Sequence, residues 1–175
     1  MKLREMAPRE VGILAAGGAL LADQASKLLL LYAFGFKDMT PSEAVPVLPF
    51  FNLVMVWNHG VSYGLFQAHG PFQTALLIVF SLVAIGALGW WLWHADRQAV
   101  ALGLGLVLGG AIGNNLIDRL IYGAVADFFH FHGFGYGWYV FNVADAAITF
   151  GVIALLYDAL LRPDAQAAGG KSQRS

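Results

Sequence analysis

Two aspartates, Asp127 and Asp145, are the residues in this sequence best suited to chemistry. Two carboxylates sharing one site repel, and burial penalises the charged form, so one holds a proton while the other ionises. The ionised member can activate water, and the protonated member can polarise a carbonyl and then serve the leaving amine. That is acid–base hydrolysis with no metal and no covalent nucleophile. Asn142 stands three residues before Asp145, close enough to face the same cavity on a helix. Two further pairs stand four residues apart, Asn115 with Arg119 and Asp23 with Lys27, so each shares one helical face. Arg119 keeps its charge and suits holding carbonyls or phosphate rather than moving protons. Asp23 and Lys27 read equally as a structural ion pair, and Asp118 as a cap or a partner for a neighbouring group.

Other chemistries are poorly served. The chain has no cysteine, which removes disulfides, thiolate metal sites and a cysteine nucleophile. His130 and His132 with His59 or His69 lack a completing carboxylate at metal-ligand spacing. Ser62 with His59 forms a nucleophile set only by assumption. No cofactor is expected.

The elements that carry these groups are membrane spans. Only 12% of the 175 residues are charged and 58% are hydrophobic, too few charges to cover a soluble globule. The net charge of −1 gives no case for a nucleic-acid partner. Four apolar stretches, Val11–Ala33, Gln73–Trp93, Ala99–Tyr122 and Asn142–Leu161, each hold the ~20 residues that cross a bilayer. Leu20 is large for a position preceding a signal cleavage, so the first stretch reads as a retained span. With both termini in the cytoplasm, Lys2, Arg4, Arg9, Arg97, Arg162, Lys171 and Arg174 lie inside and only Lys27, Lys37 and Arg119 lie toward the outside. Residues 163–175 are expected to be a disordered cytoplasmic tail, and 1–162 one integral membrane domain.

That topology gathers the polar groups. Asp23 and Lys27 sit about 18 Å and about 24 Å along the first span at 1.5 Å per residue. Asn115 and Arg119 lie near the outer end of the third span, Asp127 just beyond it, and Asn142 and Asp145 at the outer start of the fourth. Independent segments thus bring the costly charges to one depth, and a charge inside a membrane marks function by default. A proton- or cation-coupled transporter would also use such groups, but would want them along a path to both faces. Gly105, Gly109 and Gly113 repeat every four residues and read as a close-packing helix face. Of the outer segments, 34–72 and 123–141, the first carries a Val-, Phe- and Trp-rich stretch broken by Pro46, Pro49 and Gly60 that reads as short strands. Trp57, Trp138 and Tyr139 are placed at headgroup level.

The motifs resemble the lipoprotein signal peptidases, signal peptidase II of bacteria. Asp23-Gln24-x-x-Lys27 is similar to that family's D-Q-x-x-K, and Asn58-His59-Gly60-Val61-Ser62-Tyr63 to N-x-G-x-A-F. Residues 109–119 resemble G-G-x-x-G-N-x-I-D-R, Val125–Phe128 resembles V-x-D-F, and Phe141–Asp145 resembles F-N-x-A-D. Ser62 and Tyr63 replace Ala-Phe, adding hydroxyls. The doubled Asn114-Asn115 leaves two candidates for the family asparagine, with Asn115 preferred because it shares a face with Arg119. The resemblance implies four transmembrane helices with a small outer β-rich cradle and an intramembrane aspartyl endopeptidase. Such an enzyme removes signal peptides from diacylglyceryl-modified prolipoproteins just before the lipidated cysteine, in the bacterial inner membrane, and is sensitive to globomycin. It implies Asp127 and Asp145 as the catalytic pair. Asn58, Gly60, Asn115, Arg119 and Asn142 would position substrate, with Asp23 and Lys27 in support. Its partners would be lipidated prolipoproteins and membrane lipids, and a monomer is expected.

Overall fold

The structure is a computed structural model that describes residues 5–40, 42–60 and 70–161. Ser62, Tyr63, His69 and the expected tail, 163–175, lie outside the described residues. Four helices are long and apolar enough to cross a membrane: Pro8–Ala33, Pro71–Trp93, Gln98–Tyr122 and Val143–Leu160. Each lies within a few residues of its expected place. Pro8 and Pro71 start two of them, because a proline in the first turn gives up an amide hydrogen that has no helical partner there.

Helix α1 (Pro8–Leu28) continues into a widened π turn at Leu29–Ala33. Helix α2 (Pro71–Trp93) is largely exposed along its length and buries only Ser81 and Leu92. Helix α3 (Gln98–Ala111) runs into a second π turn at Ile112–Asp118 and ends in the short α4 (Arg119–Tyr122). Helix α5 is Val143–Leu161. Helix α3 lies between α1 and α5 and packs extensively on both. The glycine stripe makes the α1 contact possible. A Cβ on Gly105 would stand 2.2 Å from the Gly12 carbonyl oxygen, and one on Gly109 would stand 2.3 Å from that of Ala16. Backbones can meet this closely only where the side chain is a hydrogen.

A four-stranded antiparallel sheet in the order β1-β2-β3-β4 caps one end of the bundle. Its strands are β1 (Ala44–Leu48), β2 (Phe51–Asn58), β3 (Val125–Gly133) and β4 (Tyr136–Gly137). Pro46 is tolerated because β1 is an edge strand, and the register slips between Pro46 and Leu48. The β2–β3 register also shifts between Leu53 and Val56, and Val56 is the partner of Asp127. Such bulges re-aim neighbouring side chains. Leu30, Leu31, Phe36, Met55, Ala126 and Phe128 form the core that seats the sheet on the helices. Asp127 lies between Ala126 and Phe128, and the period-2 alternation of a strand turns it to the opposite face.

Candidate active site

The site starts from how α5 begins. Phe141 exchanges backbone hydrogen bonds with Phe129 (Phe129 N to Phe141 O 2.8 Å; Phe141 N to Phe129 O 3.1 Å), which lays the start of α5 against β3. The Asn142 side-chain oxygen accepts the Asp145 amide hydrogen at 2.9 Å, and Asp145 Oδ2 accepts the Asn142 amide hydrogen at 3.1 Å. This reciprocal capping box satisfies two orphan donors of the helix start and fixes both side chains. Asn142 Nδ2 then donates to Asp127 Oδ1 at 2.6 Å. One asparagine therefore links the two aspartates.

Each aspartate has a second holder. Asn114 Nδ2 donates to Asp145 Oδ1 at 2.9 Å, and Asn58 Nδ2 donates to Asp127 Oδ2 at 3.2 Å. Asp127 is buried, whereas Asp145 is half-buried and lines a cavity of about 370 Å³ along α5. Asp127 faces a separate cavity of about 320 Å³ with Asn58, His59 and Tyr139. Burial, and then the neighbouring Asp145 carboxylate, push the Asp127 carboxyl up to about 8. The hydrogen bonds from Asn58 and Asn142 and the Lys27 charge oppose this without cancelling it. Burial and the neighbouring carboxylate thus favour the protonated form of Asp127.

Beneath the pair lies a buried charge cluster. Lys27 Nζ reaches Asp23 Oδ2 at 2.8 Å, Asp118 Oδ2 at 2.8 Å and Asn114 Oδ1 at 2.6 Å, using all three ammonium donors. Gln24 Nε2 bridges Asp23 and Asp118, and Asp118 also accepts the Ala126 amide hydrogen at 3.2 Å. Asp23 Oδ1 accepts the Ala144 amide hydrogen at 3.0 Å, placing a carboxylate at the positive end of α5. The cluster thus ties α1, the third span, β3 and α5 together around the aspartates. Asp118, read from the sequence as a cap or partner, is a partner of Lys27, Gln24 and the β3 backbone.

The structure distributes the other expected residues unevenly. The Arg119 guanidinium donates to the carbonyls of His59 (3.4 Å) and Gly60 (2.5 Å), while the Gly60 amide donates to Asn58 Oδ1 at 3.0 Å. Arg119 and Gly60 thereby set the chain that carries Asn58. Asn142 is fully buried. Asn115 does share a face with Arg119, as its spacing requires, but that face lines a small cavity against Leu77 and Ser81 of α2. The asparagine that touches Asp145 is Asn114. Tyr139, expected at headgroup level, accepts a hydrogen bond from Asn58 Nδ2 at 2.7 Å. No sequence signal pointed to that contact. His130 and His132 lie side by side with their rings tilted, 5.6 Å between ring centroids, and no group of three metal-capable side chains occurs among the described residues. At the opposite end of the bundle the buried Asp158 pairs with Arg97 at 2.5 Å, far in sequence from every other buried charge.

The family model for signal peptidase (SPase) II matches residues 15–161. The chain belongs to the signal peptidase II family. A lipoprotein signal peptidase of Rhodopseudomonas palustris (strain TIE-1) is 51% identical over 160 residues, covering 89% of this chain and 95% of that protein. One from Nitrobacter hamburgensis is 50% identical over 167 residues, covering 93% and 99%. Among solved structures, a bacterial membrane enzyme determined in meso at 2.3 Å superposes with a TM-score of 0.72 at 26% identity, covering 94% of this chain and 93% of that one. Signal peptidase II membership makes this chain a bacterial multi-pass membrane peptidase, and its fold is the expected one: four spanning helices and a small sheet. A peptidase needs a site at one level, which fits the gathering of buried charges at the sheet end better than a transport path through the bundle.

Proposed function

We propose that this chain is an intramembrane aspartyl endopeptidase that removes signal peptides from diacylglyceryl-modified prolipoproteins, cutting just before the lipidated cysteine. Family membership supports prolipoprotein processing. The single observation that carries the aspartyl mechanism is Asn142, which joins Asp127 and Asp145 by hydrogen bonds, with Asp127 the more deeply buried of the two.

In this reading Asp145 is the base. Its carboxylate takes a proton from water as the water oxygen attacks the scissile carbonyl carbon. Asp127, protonated, donates its hydrogen to the carbonyl oxygen and stabilises the tetrahedral species. Collapse breaks the carbon–nitrogen bond; the proton held on Asp145 passes to the leaving amine, and Asp127 regains its own. Asn114 and Asn142 hold the base, and Asn58 and Asn142 hold the acid. Asn58 is the substrate-binding candidate that lines the Asp127 cavity, whereas Gly60, Arg119 and Asn142 shape the site around it. Asn115 acts through the Arg119 face. Asp23 and Lys27 support the site from below.

The excess of Lys and Arg on one side supports cytoplasmic termini, with the site near the outer face of the inner membrane. Contact with lipid, action as a monomer and inhibition by globomycin belong to the same proposal. The test is incubation of the purified protein with a synthetic diacylglyceryl precursor. Mass spectrometry should find one cut, before the lipidated cysteine, and none in the unlipidated peptide. Equal cleavage of both peptides, or a cut elsewhere, contradicts the reading.

A further inference from the structure

We infer that Tyr139 is a positioning residue for the aspartate pair, acting on Asp127 through Asn58; this rests on the aspartyl reading above. Asn58 has one side-chain oxygen and two amide hydrogens to place. The oxygen accepts the Gly60 amide hydrogen at 3.0 Å, which fixes the amide orientation and leaves both hydrogens on the other side. One goes to Asp127 Oδ2 at 3.2 Å and the other to Tyr139 Oη at 2.7 Å. The shorter bond is to the tyrosine, so the plane of the amide, and with it the direction of the hydrogen offered to Asp127, is set by Tyr139.

Tyr139 is itself held. Trp138 N donates to the Phe131 carbonyl at 2.7 Å, and Phe141 is paired with Phe129, so the backbone on both sides of Tyr139 is fastened to β3. Its ring comes from one edge of β3 to meet Asn58 at the end of β2 on the other. Tyr139 is also the residue common to the two cavities that reach the pair, one containing Asp127 and the other Asp145. A substrate chain touching both carboxylates passes this ring, while the hydroxyl is engaged with Asn58. Position, rather than substrate affinity, is thus what the hydroxyl supplies.

The test is Tyr139→Phe, which keeps the ring and removes only the hydroxyl, assayed on the lipidated precursor beside the wild type. Loss of one neutral hydrogen bond predicts a fall in kcat of roughly 3- to 10-fold. KM should stay within about two-fold, because the cavity walls are unchanged. A second readout separates positioning from structure. A hydrogen bond from Asn58 favours the ionised form of Asp127, so loosening it moves the alkaline limb of the kcat profile to higher pH. The charged and titratable groups around Asp127 are Asp145 on α5, Lys27 on α1, Arg119 on α4 and His59 beside Asn58, and all remain in the variant. An unchanged kcat, a KM rise without a kcat loss, or a fall in kcat with an unmoved alkaline limb each overturns the role given to Tyr139. A wild type that fails to cut the precursor strikes the peptidase reading instead.

Discussion

In the proposed mechanism Asp127, as the acid, makes cleavage depend on pH. Its carboxyl is raised from 3.8 to about 8 by burial and by Asp145. As the acid it must hold its proton, so cleavage should fall as pH rises through about 8; a rate still climbing well above that value would contradict the assignment. The same shift affects stability. A group with a raised folded-state pKa contributes stability that is complete below the unfolded value, near 3.8, and is lost as pH rises through about 8. Thermal unfolding in detergent should therefore show a decline between pH 5 and pH 8 that Asp127→Asn reduces. Lys27 makes a different prediction. Removing it by Lys27→Met leaves Asp23 and Asp118 buried without a cation, which costs on the order of 3–5 kcal/mol, read as a lowered melting temperature. At this scale the Asp23–Lys27 pair and the placing of Asn142 beside Asp145 were legible, because both follow from residue type and spacing. The Tyr139–Asn58 contact was not, because it joins residues 81 apart through a strand edge that no local pattern specifies.

Helices α1 and α3 set how the charges meet. Gly105 and Gly109 bring the two backbones together just below the Lys27 cluster. Gly109→Val should force them apart, costing about 1–3 kcal/mol by overpacking and lowering cleavage as well as melting temperature. Full activity in a folded Gly109→Val protein would show that the cluster does not depend on this contact. The spans and the glycine face could be read directly from apolar runs and four-residue spacing. The choice between Asn114 and Asn115 could not. Both have a partner four residues on, Asp118 and Arg119, so spacing alone fits either. The neighbours differ: Asn114 and Asp118 meet Lys27 of α1, while Asn115 and Arg119 line a cavity against α2. The third span is also widened into a π turn at Ile112–Asp118, a local irregularity often found at functional sites and invisible to an ideal helical count. The strands were legible as β-rich segments, but the register shift opposite Asp127 depends on tertiary pairing.

The whole molecule separates its charges by end. Asp23, Lys27, Asp118 and Arg119 are buried beside the sheet and Asp127 within it, and Asp158 is neutralised by Arg97 at the other end of the bundle. This arrangement predicts an outward-facing sheet and an inward-facing α2–α3 connection. The absence of cysteine makes the prediction simple to check, since any introduced thiol is the only one. Phe134, at the tip of the β3–β4 hairpin, is fully exposed, and Asp96 is exposed in the α2–α3 connection. Phe134→Cys should react with an impermeant maleimide in cells whose outer membrane alone has been opened, and Asp96→Cys only after the inner membrane is lysed. The reverse pattern would invert the topology.

The central claim is that Asp127 and Asp145 together perform the cleavage. Single-turnover hydrolysis of the lipidated precursor by Asp127→Asn and Asp145→Asn proteins, each shown to retain its fold by thermal unfolding, tests it most directly. Loss of a positioned acid or base predicts a fall of at least 10²–10⁴-fold in each variant, on the order of magnitude typical for such groups. Cleavage near the wild-type rate by either folded variant would contradict the claim.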